Sequence, residues 1–406
     1  MLSQAVIVAT ARSPIGRAEK GSLKDMRPDD LLVAMIQNVL DQVPMLDPNE
    51  IDDFLVGTGS PAGESGYNIG RIAAVMLGLD QVPGVTVNRY CSSSLQTTRM
   101  AMHAIRAGEG EVFISAGVET VSRYSHGWSD FMSGTTNPVF AKALERSQQR
   151  AEQPTDWQDP RSFGELPDAY IAMGQTAENV AQLKGISRAE QDEFAVRSQV
   201  LAQRAIENGF WAKDITPITL PDGRIVSADD GPRPNVTLDA VSQLKPVFRP
   251  DGTVTAGNCC PLNDGAAALI VMSESKAKSL GITPLARIVS TGLTGLSPEI
   301  MGMGPVGASQ QALERAGMTI ADIDLVEINE AFAAQVIPSA RELGVDIDKL
   351  NVNGGAIAVG HPFGMTGARI TSTLINSLQF HDKQFGLETM CVGGGQGMAM
   401  ILERMS

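Results

Sequence analysis

The sequence predicts an α/β protein on a largely parallel sheet, arranged as two similar halves with an insertion between them. Three observations carry this. Short β-rich runs alternate with amphipathic helical runs from the N-terminus onward, which is the order of βαβ units. In the last third, Ile320-Ala321-Asp322-Ile323-Asp324-Leu325-Val326-Glu327 echoes Pro48-Asn49-Glu50-Ile51-Asp52-Asp53-Phe54-Leu55 at an offset of 272 (323 − 51), and Val352-Asn353 echoes Val87-Asn88 at 265 (352 − 87). From about 121 to 250 the texture changes, with Trp, Gln, Pro and charged residues concentrated. Echoes this short also arise by chance in α/β chains.

Taken in order, 5–9 reads as a strand, 31–40 as a helix, 54–57 and 85–88 as strands, 96–106 as a helix and 112–116 as a strand. Helical patterns cover 176–182 and 188–208. Pro154, Pro160 and Pro167 fall in a polar stretch with little periodicity, and 217–234 reads as turns around Asp222-Gly223. The expected division is a first half over 1–121 completed by 251–272, an inserted domain over 122–250 and a second half over 273–406.

The 406 residues are 43% hydrophobic and 19% charged, enough for two or three domains with full cores. A formal charge of −14 and a pI near 4.8 argue against nucleic acid or an anionic membrane as partner, since either needs a basic face. An anionic substrate would need local Lys and Arg. No apolar run of about eighteen residues and no signal-type apolar core occurs, so a soluble cytoplasmic protein is expected. Cys91, Cys259, Cys260 and Cys391 show no Cys-x-x-Cys spacing and are too few for a disulfide scaffold, so reduced thiols and no metal site are expected.

Four motifs carry chemistry. In Val87-Asn88-Arg89-Tyr90-Cys91-Ser92-Ser93-Ser94 a strand ends and a helix starts near Ser92, running to Gly108. Exposed N–H groups at a helix N-terminus favour the thiolate, the form of Cys91 that attacks carbonyl carbon; a small cysteine filling the junction is the bland alternative. In Val352-Asn353-Gly354-Gly355-Ala356-Ile357-Ala358-Val359-Gly360-His361-Pro362-Phe363-Gly364 the glycines allow backbone to approach a ligand and present His361, unless His361 is a satisfied structural residue. Cys391-Val392-Gly393-Gly394-Gly395 follows a strand-like run, and its amides could stabilise an oxyanion. A phosphate-binding glycine loop competes with that reading, without the Lys-Ser/Thr of a P-loop. In Glu327-Ile328-Asn329-Glu330-Ala331-Phe332 a strand gives way to a helix, which Asn329 and Glu330 could simply cap.

Together these motifs resemble the thiolase family, through the Asn-Arg-x-Cys, Asn-Glu-Ala-Phe, Gly-His-Pro-x-Gly and Cys-x-Gly-Gly-Gly signatures in that order. Ala9-Thr10-Ala11-Arg12-Ser13-Pro14, Met173-Gly174-Gln175-Thr176-Ala177-Glu178-Asn179 and Asn263-Asp264-Gly265-Ala266 extend it over nearly the whole chain; it is weakest over 122–167. The resemblance implies a duplicated α-β-α-β-α layered fold with an inserted loop domain covering coenzyme A. It implies an acetyl-CoA C-acyltransferase that cleaves 3-ketoacyl-CoA through acylated Cys91, with Cys391 as general acid and base and His361 activating Cys91. The amides of Cys91 and Gly393 would stabilise the tetrahedral oxyanion; His361 and a water held by Asn329 would stabilise the enolate. Met173, Ala172, Cys260, Phe332 and Arg224 would contact acyl chain or CoA. Coenzyme A would be a co-substrate, with no permanently bound cofactor and no metal. A homodimer or homotetramer is implied, although 122–141 does not look like the family's usual tetramer-forming loop.

Departures from the family pattern sharpen the expectation. Ala172 stands where acetoacetyl-specific members carry histidine, which predicts an acyl pocket for chains longer or bulkier than acetoacetyl. Cys259-Cys260-Pro261 replaces a small-residue segment with a CoA-contacting serine at 260, which would put Cys260 near CoA; an adjacent cysteine pair could instead be a redox or metal site. Ser94 stands where glycine is common, and Gly307 where proline is. Arg224, Arg233 and Lys245 could bind CoA phosphates or be solvated charges. Three other functions compete: a biosynthetic acetoacetyl-CoA thiolase, against which Ala172 weighs; a ketosynthase, from which Cys391 separates the chain; and a non-catalytic acyl-CoA- or lipid-binding protein, which could dispense with Cys91 or Cys391.

Overall fold

The computed structural model describes residues 3–127, 134–153 and 155–406. The first half supplies β1 (Ala5–Arg12), β2 (Asp53–Gly57), β3 (Gly84–Val87), β4 (Val112–Thr120) and β5 (Asn263–Ser273). The second supplies β6 (Ala286–Gly295), β7 (Leu325–Ile328), β8 (Phe385–Val392) and β9 (Gln396–Arg404). They line up as β7-β8-β9-β6-β1-β5-β4-β2-β3, with the short strand Gly16–Arg17 added to β5.

The two halves repeat one order and one set of directions. In the first, β1 pairs antiparallel with β5, β5 antiparallel with β4, β4 parallel with β2, and β2 parallel with β3. In the second, β6 pairs antiparallel with β9, β9 antiparallel with β8 and β8 parallel with β7, and a parallel bridge from Val326 to Leu350 takes the place of β3. Only two residue pairs of β1 and β6, Val6 with Arg287 and Ile7 with Ala286, join the halves edge to edge.

The sheet is therefore mixed, which corrects the expectation of a largely parallel one. Parallel neighbours need a crossover of about a dozen residues, whereas β8 and β9 are joined by a tight turn with Gly394 at φ +76° and Gly395 at +81°. A glycine run read for its chemistry is also a hairpin turn.

Helices α1 (Pro28–Asp41) and α2 (Ile69–Met76) lie in the first half, followed by α3 (Ser93–Ala107). On α1, Leu31, Leu32, Met35, Ile36 and Val39 form one buried stripe at helical spacing. Each such side chain contributes about 1.5–3 kcal/mol of burial free energy. Between β4 and β5 the described residues form α4 (Ala141–Glu152), α5 (Met173–Lys184) and α6 (Arg188–Glu207), the last started by a Ser187/Glu190 capping box. A two-stranded hairpin, Ile218–Thr219 with Ile225–Val226, follows. Residues 128–133 of the 122–141 stretch, and Pro154, lie outside the described residues. The second half adds α7 (Gly304–Ala316), α8 (Ala333–Leu343) and α9 (Thr366–Phe380).

Contacts define five layers: α1, the first-half strands, α3 packed on α9, the second-half strands, and α7. Helix α9 is central, so it is buried from Thr366 through Ile375, and its hydroxyls are partnered inside; Thr371 Oγ1 donates to Glu388 at 2.9 Å. The two central helices approach closely at Gly367, where a Cβ would lie 2.0 Å from the Leu95 nitrogen. Ser94, in place of the common glycine, uses its hydroxyl to accept the Ala368 N–H at 2.9 Å. Arg12 on β1, fully buried, donates to Asp214 at 2.8 Å and Asp229 at 2.5 Å and so ties the sheet to the inserted segment. No helix among the described residues is long and apolar enough to cross a membrane.

Candidate active site

Cys91 sits where the chain leaves β3. The Asn88 side chain accepts the Tyr90 N–H at 2.8 Å and Ser93 Oγ accepts the Arg89 N–H at 2.9 Å, holding Tyr90 at φ +44°. A non-glycine residue there stores about 1–3 kcal/mol of strain, a cost usually seen at functional sites. Cys91 is 8% exposed, in the 3₁₀ turn Tyr90–Ser92 just ahead of α3. Burial pushes its thiol up to about 12, although the Gly393 N–H and its own amide both favour the thiolate. The helix terminus alone does not ionise Cys91. A base is required.

His361, 1% exposed, follows Gly360, whose φ of +113° suits glycine. Its N–H donates to Asn263 Oδ1 at 2.9 Å. Its Nδ1 lies 2.6 Å from Thr366 Oγ1, whose hydroxyl donates to Pro362 O at 2.7 Å. That hydroxyl has one proton to give, so Nδ1 carries the ring proton and donates to Thr366, which leaves Nε2 with its lone pair. Nε2 is buried and has no partner. Burial pushes the imidazole down to about 3, helped by nearby Arg369, so the ring is neutral at physiological pH with its Nε2 lone pair unshared.

Asn329, 2% exposed, comes directly after β7; its side-chain Oδ1 accepts from Arg369 Nη2 at 3.3 Å, while its Nδ2 is buried without a partner. Neither Asn329 nor Glu330 caps the next helix, since α8 starts at Ala333 with Phe332 in the cap position. Glu330 instead accepts from Ser198 at 2.6 Å, Asn351 at 2.8 Å and the Ile357 N–H at 3.1 Å, binding α6 to the His361 loop.

Cys391, fully buried near the end of β8, has its thiol raised by burial and by neighbouring Cys91. It belongs to an apolar cluster with Ala177, Met301 and Phe332, against which Met173, Phe248, Cys259 and Cys260 pack. The Cys260 N–H donates to Ala331 O at 3.0 Å, and its thiol is raised by burial and then by Cys259, Cys91 and Cys391. The fold thus brings Cys91, Cys391, Cys260, Met173 and Phe332 together, while Arg369, which donates to Asn329, also acts electrostatically on His361. Ala172 is exposed at the N-cap of α5, outside this cluster. Arg224 lies on the short hairpin with its side chain 70% exposed, paired to Asp222 at 2.7 Å; Arg233 and Lys245 are also exposed.

Sequence reasoning missed Glu119. It is fully buried at the end of β4 and accepts from the Gly59 N–H at 2.7 Å, the Gly364 N–H at 2.8 Å, the Tyr124 hydroxyl at 2.9 Å and Thr58 at 3.3 Å. It clamps the His361 loop onto the first half and also acts electrostatically on Cys91. Its one sequence signal is an acid inside an otherwise apolar strand. Thr366, Asn263 and Arg369 likewise act by orienting His361 and Asn329. Among the described residues no group of three or more His, Cys, Asp or Glu could hold a metal ion, so the Cys259-Cys260 pair gains no ligand partners.

Two buried thiols, a neutral imidazole with a free nitrogen and unpartnered N–H donors can together attack a carbonyl, hold an oxyanion and move protons. The thiolase N-terminal domain family matches residues 5–275 and the thiolase C-terminal domain family residues 282–404. The 3-ketoacyl-CoA thiolase of Bacillus subtilis is 41% identical, covering 99% of this chain and 100% of the relative. The 3-oxoadipyl-CoA/3-oxo-5,6-dehydrosuberyl-CoA thiolase of Escherichia coli is 42% identical with 100% coverage of both. A crystal structure of the Bacillus anthracis acetyl-CoA acetyltransferase superposes with a TM-score of 0.84 at 39% identity, covering 99% of each chain.

Proposed function

The chain belongs to the thiolase family, and we propose that it cleaves 3-ketoacyl-CoA with coenzyme A, releasing acetyl-CoA and a shortened acyl-CoA. The observation that carries the reading is the pair of neighbouring buried thiols, Cys91 and Cys391, in a chain that also holds His361 buried with its Nε2 unpartnered. His361 takes the Cys91 proton and the sulfur attacks C3, with the Cys91 and Gly393 amides receiving the oxyanion. The C2–C3 bond then breaks. The enolate oxygen is held by the newly protonated Nε2 and by a water on Asn329 Nδ2, and Cys391 gives its proton to C2. The Cys391 thiolate deprotonates incoming CoA, whose sulfur takes the acyl group, and Cys91 recovers its proton from His361.

Coenzyme A acts as co-substrate, covered by the inserted segment 122–250 between the halves 1–121 with 251–272 and 273–406. Cys91 and Cys391 must remain free thiols, which suits a reducing compartment such as the cytoplasm. The acyl group is longer or bulkier than acetoacetyl. Open-edged β3, with exposed Tyr67, Ile72, Val75 and Met76 beside it, suits a homo-oligomer, for which light scattering is the check.

The test is CoA-dependent cleavage across 3-ketoacyl-CoA thioesters from acetoacetyl upward, including a bulky cyclic one, with Cys91→Ala as blank. Activity rising with acyl size is expected. Activity confined to acetoacetyl-CoA would move the chain to the short-chain class, and none would return it to a binding role.

A further inference from the structure

The central helix sets the hydrogen-bond polarity of two groups at once. Thr366 and Arg369 stand three residues apart on α9 and so share a face. Thr366 accepts from His361 Nδ1 and leaves Nε2 open. Arg369 does the corresponding thing to Asn329. The Asn329 backbone N–H donates to Thr389 O at 3.0 Å, but its side chain has one hydrogen bond among the described residues, from Arg369 Nη2 to Oδ1 at 3.3 Å. Nδ2 is buried and unpartnered. A primary amide can turn over and exchange its carbonyl for its NH₂, and the two ends offer opposite things: Oδ1 only accepts and Nδ2 only donates. A guanidinium has N–H donors and no acceptor, so it can hold Asn329 in just one of those orientations.

Stability alone explains the burial of Arg369 poorly. It is 1% exposed, and its Nε has no hydrogen-bond partner. Glu327, Asp214 and Asp229 attract it, yet none forms an ion pair with it, and Asp214 and Asp229 are paired to Arg12 instead. A buried charge with a donor unmet costs folding free energy, whereas a methionine of similar length would fill the same helix face without that cost. What the guanidinium supplies, and an apolar side chain cannot, is a fixed donor toward Asn329.

We infer that Arg369 is a positioning residue that fixes the polarity of Asn329: by taking up Oδ1 it leaves Nδ2, a donor, for the enolate step, where a turned amide would set carbonyl lone pairs against the enolate oxygen. The inference rests on the thiolase reading. Its test compares two exchanges that both start from acetyl-CoA. Acetyl transfer to isotope-labelled CoA passes through Cys91 and the tetrahedral oxyanion only: the bond from acyl carbon to CoA sulfur breaks as the bond to Cys91 sulfur forms, and labelled CoA then takes the acetyl group. Deuterium exchange at C2 in D₂O passes through the enolate as well, since the Cys391 thiolate left by Cys91 acylation removes a C2 proton, trades it with solvent and returns a deuteron.

The ratio of exchange to transfer is measured in wild type, Arg369→Met and Arg369→Gln, and again with each change added to Asn329→Ala. Met offers no donor and Gln accepts as well as donates, so both let the amide turn and should lower the ratio by about 10- to 100-fold, up to the loss typical of an oxyanion donor removed outright. Added to Asn329→Ala, neither change should move the ratio by more than about threefold, because the interaction is already gone. The folded fraction cancels within each preparation, so either variant serves if the other does not fold. The charge of Arg369 also acts on His361, and that effect would persist in the Asn329→Ala background. A ratio unmoved by the Arg369 changes, or lowered equally with and without Asn329, overturns the inference and leaves the thiolase reading intact. Wild type that performs neither exchange, or acetyl transfer alone, overturns both.

Discussion

The two halves share strand order and central helix but differ at the junction that precedes that helix. In the first, β3 leads through the 3₁₀ turn Tyr90–Ser92 directly into α3, and Cys91 sits in that turn. In the second, the equivalent passage from Leu350 to α9 is longer and glycine-rich and holds His361 buried, while β8 turns back at once to bring the Gly393 amide beside Cys91. One scaffold used twice thus yields a thiol on one side and, on the other, an imidazole, an amide donor and a second thiol. On the proposed mechanism neither half holds a complete set, and two of the bonds that cross between them are Ala368 to Ser94 and Gly364 to Glu119.

Removing the first half's contribution should cost most. Cys91→Ser should abolish acylation and lower kcat by about 10³-fold or more, as losing a nucleophile does; a pre-steady-state burst of acetyl-CoA from this variant would count against the assignment. On the second half, His361→Ala should lower kcat by about 10³-fold and Asn329→Ala by about 10²-fold, the range for a lost oxyanion donor, read from steady-state rates at saturating CoA. Equal losses in the two would mean that they do not play separate parts.

The pH dependence sharpens the same contrast. With His361 at about 3, kcat/KM should show no acid limb near the ordinary histidine value of about 6.5, and a midpoint there would show that His361 titrates at its ordinary value. For stability, a histidine lowered in the fold contributes above its unfolded value and loses that contribution as pH falls below about 6.5. Glu327, which burial raises to about 8, behaves oppositely: its contribution is present below about 4.5 and lost as pH rises through 8. Thermal melts of Glu327→Gln should therefore lose less stability between neutral and alkaline pH than wild type.

Weakening the bonds between halves should have smaller effects. Glu119→Gln turns an amide NH₂ toward donors and should cost about 1–3 kcal/mol, with a fall in kcat as the His361 loop loosens, measurable by denaturant titration and assay. Ser94→Ala leaves the Ala368 N–H unpaired and should cost about 1–2 kcal/mol. A Ser94→Ala protein as stable as wild type would show that this crossing bond is dispensable.

The parts of the fold legible in the sequence were those set by local pattern. The apolar stripe over 31–40, the strand-to-helix change around Cys91 and the internal echo each depend on neighbours in the chain, and each has its counterpart in the structure. Strand direction was not legible, because it depends on the hairpin between β8 and β9, whose glycines also suit an oxyanion loop. The cysteines, His361 and Asn329 stand out through short motifs. Glu119, Asn263 and Thr366 do not, since they act by hydrogen bonds to residues far along the chain or to a hydroxyl one turn away, and nothing in their own neighbourhoods announces that. Burial overrode one local inference: the helix start that should favour a Cys91 thiolate is outweighed by desolvation of the sulfur.

The central claim is that the first half carries the acyl group and the second half manages its protons. Mixing the protein with a 3-ketoacyl-CoA in the absence of free CoA, quenching in acid and mapping the digest by mass spectrometry tests it directly. The claim predicts the acyl mass on the peptide containing Cys91, with a matching amount of acetyl-CoA released; an acyl group found on Cys391 or Cys260 instead would contradict it.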